Sequence, residues 1–75
     1  MSTLHLLMSP DAIEQARASI QPEDVVITFD QPQPIDLPCA GQFLAYLTQP
    51  FDHPLALDAT QLAQKIENAE RVETW

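Results

Sequence analysis

Few side chains in this sequence of 75 residues can serve as nucleophile, base or metal ligand. Cys39 is the single cysteine, and a thiol reacts as its thiolate. A lowered pKa for it usually comes from a helix N-terminus or a cationic neighbour. The sequence predicts a helix starting at Ala40-Gly41, which would place Cys39 at such an end, but Asp36 is close and no Lys or Arg is local. The alternative is that Cys39 packs as a small apolar residue, as free cysteines often do, and this reading carries more weight. His5 lies within the apolar run Leu4 to Met8. Spacing assigns it no serine, cysteine or acid, so nucleophilic catalysis is unsupported, and His5 reads as a hydrogen-bonded core or interface residue. His53, between Asp52 and Pro54, reads as a loop residue. Glu23 and Asp24 fall at a helix-to-strand turn and read as solvated carboxylates. One glycine excludes both GxGxxG and the Walker pattern. One cysteine leaves no internal disulfide and no CxxC metal spacing. No catalytic residue other than the candidate Cys39, no cofactor site and no metal site is expected.

Charge narrows the partners. Eleven acids against three basic residues give a formal charge of −8. Phosphate backbones are bound by Lys/Arg clusters, whereas Arg17, Lys65 and Arg71 are scattered singly. Direct contact with nucleic acid or an anionic membrane is not expected. No apolar run reaches the roughly 20 residues of a membrane span, and the N-terminus lacks a basic-then-apolar leader pattern. The expectation is a cytoplasmic protein of one domain over residues 1–75. A chain this short buries only about 60% of the surface exposed when unfolded, and no disulfide or metal compensates, which favours burial against other subunits.

The elements that position these residues follow from pattern. Thr3 to Met8 suits a buried strand. Ser9-Pro10-Asp11 starts a helix through a capping hydroxyl, a proline at the first turn and an acid at the positive dipole end. Ile13, Ala16 and Ile20 face inward, with Glu14, Gln15 and Arg17 toward solvent, and Pro22 stops the helix. Val25 to Phe29, β-branched and apolar on both faces, suits a central strand. Pro32, Pro34 and Pro38 make residues 30–38 an irregular loop with a brief extended piece at Ile35-Asp36-Leu37. Gly41 through Thr48 reads as a helix with Phe43, Leu44 and Leu47 on one face, ended by Pro50. Pro54 to Leu57 reads as a third strand. Asp58 and Gln61 form a capping box for a helix with Leu62, Ile66 and Ala69 inward, and Val72 to Trp75 closes as an edge strand. This order predicts an α/β fold with a small, mainly parallel sheet flanked by helices.

The aromatic residues bear on assembly. Trp75 offers over ~150 Å² of mostly apolar surface, so it either folds onto its own sheet or meets a partner, where Trp is enriched. Phe43, Tyr46 and Phe51 present the same choice. His5, Phe43, Tyr46 and Trp75 are the candidate partner-interface residues.

Two segments resemble the TusB/DsrH family. Leu4-His5-Leu6-Leu7-Met8-Ser9-Pro10 is similar to the family's LHxxxxSP opening, with one residue fewer between His5 and Ser9, followed there too by a helix, an acidic turn (Pro22-Glu23-Asp24) and an apolar strand ending in an acid (Phe29-Asp30). Leu57-Asp58-Ala59-Thr60-Gln61-Leu62 through Val72-Glu73-Thr74-Trp75 is similar to its closing (V/I)DYxxFVxLxxxxxxxxxW, with the terminal Trp at matching spacing. Together they span a little over half the chain. The sequence departs where Gln31 follows Asp30 in place of glycine, where Ala59 and Leu62 replace an aromatic pair, and where about one strand-helix unit is missing between Asp30 and Leu57. The resemblance implies a DsrE/F/H-like α/β fold, reduced in size. It also implies hetero-oligomers with TusC/TusD (DsrF/DsrE)-like subunits, one of which carries a cysteine persulfide toward 2-thiouridine at the tRNA wobble position. Some DsrH members carry a cysteine on the first helix, where this sequence has Ala16, Arg17, Ala18 and Ser19. The expectation is a non-catalytic subunit. The rivals are a small sulfurtransferase using Cys39 and a stand-alone homodimeric α/β module of unrelated function.

Overall fold

The computed structural model describes residues 2–39, 41–48 and 52–75. Among them run β1 (Leu4–Leu7), α1 (Pro10–Ala16, continued by a 3-10 turn at Arg17–Ser19), β2 (Val25–Phe29), β3 (Gly41–Ala45), α2 (Ala59–Asn68) and β4 (Val72–Thr74). The four strands form one sheet in the order β3-β2-β1-β4, and every pairing is parallel. The protein is a small α/β fold.

Parallel strands need a crossover between them, and α1 supplies the first. Ser9 Oγ accepts the Ala12 N–H at 3.2 Å, and proline occupies the first turn. Ala12, Ile13 and Ala16 are buried, as is Ile20 beyond the 3-10 turn. The proline-rich segment between Phe29 and Gly41 makes the crossover from β2 to β3 with no helix among its described residues. The third crossover, α2, starts from Asp58, which accepts the Gln61 N–H at 2.7 Å while the Gln61 side chain accepts the Asp58 N–H at 3.0 Å. It carries the chain past β2 and β1 to the far edge of the sheet.

The strand period of two divides the core between two faces. One face gathers Leu4, Leu6, Ile27, Phe29 and Ala45 with Leu57, and α2 adds Leu62 and Ala69. The other gathers Leu7 and Val26 with Ile13, Ala16 and Ile20, and the proline-rich loop adds Ile35, Leu37 and Cys39. The helices therefore cover opposite faces. α2 covers its face lightly, since none of its residues is buried. No helix among the described residues is long and apolar enough to cross a membrane.

Gly41 to Ala45 is a strand, which corrects the helix expected from Gly41 to Thr48. Its apolar positions fit either period over so short a run. The structure resolves the ambiguity by pairing all five residues with β2, from Val25 opposite Gly41 to Phe29 opposite Ala45. Leu44 is then fully buried on one face while Ala45 joins the core on the other. Pro54 to Leu57, expected as a strand, makes one parallel bridge between Ala56 and Leu44. The turn closed by the Ala56 N–H on the His53 carbonyl leaves only that contact. The 35–37 piece joins no ladder. It is held by the Gln42 side chain, whose amide accepts the Ile35 N–H and donates to the Ile35 carbonyl.

The end of β2 is fixed by Asp30, at φ 58°, a left-handed conformation that Asp tolerates better than most residues. Its carboxylate accepts the N–H groups of Leu47 (2.9 Å) and Thr48 (3.2 Å). These two bonds hold its carboxyl below the usual aspartate range, against a smaller opposing effect of burial.

Candidate functional site

The densest polar constellation forms where β1, the turn before β2 and the end of β4 meet. Strand alternation turns His5 to the face that α1 covers, beside Val26. The turn before β2, closed by the Asp24 N–H on the Gln21 carbonyl at 3.0 Å, brings Asp24 beneath it. The parallel pairing of β4 with β1 carries Trp75 alongside, its N–H donating to the Leu6 carbonyl at 2.9 Å.

His5 Nε2 lies 2.9 Å from Asp24 Oδ2, and both residues are 2% exposed. Trp75 Nε1 donates to His5 Nδ1 at 3.1 Å. An indole N–H can only donate, so Nδ1 is an unprotonated acceptor and the imidazole hydrogen sits on Nε2, donated to Asp24. The carboxylate also accepts the Thr3 N–H on Oδ1 and the Gln21 N–H on Oδ2, both at 2.9 Å. Desolvation by burial pushes the Asp24 carboxyl upward. The bonds from Gln21, His5 and Thr3 outweigh it and hold the group below the usual aspartate range. Asp24 is therefore a buried, fully engaged anion. Only Glu23 of the acidic pair is solvent-exposed, which corrects the solvated reading of Asp24.

This arrangement binds its own chain. Both imidazole nitrogens are occupied, the ring is sealed from solvent, and among the described residues no hydroxyl or thiol is hydrogen-bonded to it. Asp24 is the partner that sequence reasoning missed. A buried histidine needs hydrogen-bond partners, and that requirement was the available signal.

Cys39 sits on the same face at the margin of that core, half-buried. Because Gly41 opens a strand, no helix end faces its sulfur. The thiol instead donates to the Gly41 carbonyl at 3.6 Å, and desolvation pushes its pKa up. The protonated thiol is thus the favoured form, the opposite of an activated nucleophile.

The remaining candidates lie apart. Phe43 is half-buried on the α2 face, and the Lys65 ammonium lies 4.2 Å from its ring centroid, in cation–π range. Tyr46 is half-buried at the end of β3, and Phe51 lies outside the described residues. His53 accepts the Leu55 N–H on Nδ1 at 3.1 Å, a bond within its own turn. Two clefts flank α2 beside Lys65 and Asn68. One of about 230 Å³ is bordered by Thr3, Leu4 and Val25, and one of about 370 Å³ by Phe43, Leu57 and Gln61. Neither includes His5, Asp24 or Cys39. No group of three or more potential metal ligands occurs among the described residues. No protein-family model, curated protein or solved structure matches this chain.

Proposed function

We propose that the chain is a non-catalytic subunit of a cytoplasmic sulfur-relay complex, supporting 2-thiolation of the tRNA wobble uridine or a related sulfur transfer. In this reading its fold is a reduced DsrE/F/H-like domain, and its partners are TusC/TusD (DsrF/DsrE)-like proteins. The observation that carries the reading is the hydrogen bond between His5 and Trp75. These residues come from the two segments that resemble the TusB/DsrH family, one near each end of the chain, and the fold sets them on adjacent strands. The family-like residues thus act on one another. Support for the non-catalytic role comes from Cys39, whose thiol is pushed toward its protonated form and which, among the described residues, meets neither a helix end nor a hydrogen-bonded base. A charge of −8 suits protein partners over direct contact with tRNA.

Co-expression with TusC/TusD-like proteins tests the proposal. Affinity capture of this chain is expected to retain both in fixed stoichiometry. Capture of the chain alone, with both proteins expressed and folded, refutes it.

A further inference from the structure

The sheet has two edges, and among the described residues only one is covered. On the outer side of β3, Leu44 donates its N–H to the Leu55 carbonyl (2.9 Å) and accepts the Leu57 N–H (2.7 Å). Beyond β4 no described strand or bridge follows. The Arg71 carbonyl accepts the Leu4 N–H and the Trp75 N–H donates to the Leu6 carbonyl, so residues 71, 73 and 75 turn their backbone groups toward β1. Strand alternation then points the N–H and C=O of Val72 and Thr74 outward. Such a row is a ready template for another strand.

The side chains along this edge indicate what fits it. Val72, opposite Leu4 on the face that α2 covers, is 38% exposed. Glu73 lies on the other face, and Glu67 and Glu70 precede it on the exposed approach, against a single cation, Arg71. Arg71 is already bound to Glu73 at 2.7 Å.

We propose that the outer edge of β4 is the docking edge for an extended, basic segment of a partner protein, which adds as a fifth strand. Its backbone meets Val72 and Thr74, an apolar residue packs beside Val72, and alternate Lys or Arg residues face the acidic margin. This is β-strand addition with charge-set specificity. A second copy of the chain is a poor occupant, because it would bring the same acidic margin and another net charge of −8. The inference rests on the subunit reading only for which protein supplies the segment.

The test uses the full chain and three synthetic peptides of equal length. One alternates valine and lysine, one alternates valine and glutamate, and one is the first with central prolines that forbid strand pairing. Binding is read by fluorescence anisotropy and by amide hydrogen exchange. The Val-Lys peptide is expected to bind and to slow exchange at Val72 and Thr74, with the other two at least about tenfold weaker. Thr74→Pro removes an outward N–H while keeping the inward bonds of residues 73 and 75, and is expected to weaken binding similarly. Val72→Lys, which leaves the backbone untouched, carries the same expectation should the proline variant not fold. Equal binding of the proline-interrupted peptide, protection confined to other amides, or self-association through this edge overturns the inference. TusC/TusD-like partners retained by Val72→Lys overturn the edge and leave the subunit reading standing. Peptide binding at the edge by a chain that captures no such partner does the reverse.

Discussion

Replacing Trp75 with phenylalanine isolates the contact on which the account of the fold's closure turns. The substitution keeps an aromatic ring on the α1 face but deletes the donor 3.1 Å from His5 Nδ1. That nitrogen belongs to a residue 2% exposed, so water does not readily replace the lost partner. Leaving a buried acceptor unsatisfied costs about 1–3 kcal/mol, and the smaller ring forfeits up to about 1 kcal/mol of burial. A domain of this length has on the order of 4–11 kcal/mol of total stability, so a loss of about 2–3 kcal/mol is plainly measurable. Urea unfolding followed by circular dichroism gives the value for the single variant. A double-mutant cycle with His5→Gln then separates the bond from the packing, with a coupling of about 1 kcal/mol or more expected for residues in contact. The fraying should be local as well. Hydrogen exchange at the inward-facing amides of Glu73 and Trp75 is expected to accelerate before that of β2, because Trp75 fixes the far end of the three-residue edge strand. A stability change under about 0.5 kcal/mol, or a coupling near zero, refutes the reasoning and makes the contact incidental.

Three further expectations follow from the same geometry. Asp24 has a native carboxyl pKa below its ordinary value, so its stabilisation is complete above that ordinary value and is lost as pH falls through the native one; in that window the unfolded state binds more protons. Asp24→Asn should therefore destabilise the protein near neutral pH by about 2 kcal/mol or more and flatten the acid limb of a pH–stability curve. An unchanged acid limb contradicts this. Thr28 Oγ1 is buried without a hydrogen-bond partner among the described residues, so Thr28→Val should raise the urea midpoint, by about 1 kcal/mol of stability; a loss would mean that the hydroxyl is satisfied. Cys39 should take up no persulfide from a donor, and intact-mass spectrometry detecting a gain of about 32 Da that Cys39→Ser removes would restore the sulfurtransferase reading.

Much of the architecture was legible because its signals are local. Ser9-Pro10 and Asp58 with Gln61 are caps whose hydrogen bonds close within three residues. Val25 to Phe29 is buried on both sides at its centre and could hardly be other than an inner strand of a parallel sheet. Val72 to Thr74 was expected at an edge and lies at one. What escaped the sequence is what long-range pairing decides. Phe43, Leu44 and Leu47 satisfy a helical period as well as a strand's, and the open flank of β2 settles the choice by offering five in-register partners. That reversal also removed the helix end expected to activate Cys39. Asp24 looked like any acid in a turn, because nothing local announces that His5, nineteen positions earlier, lies directly above it. His5 itself was placed between core and interface, and the fold seats it in the core.

The subunit reading is tested most directly by native mass spectrometry of the purified chain mixed with purified TusC/TusD-like proteins. A hetero-oligomer that contains this chain in a defined ratio is expected, and it should persist when Cys39 is changed to serine. Spectra in which the two sister proteins assemble with each other while this chain stays apart from them would contradict the subunit reading.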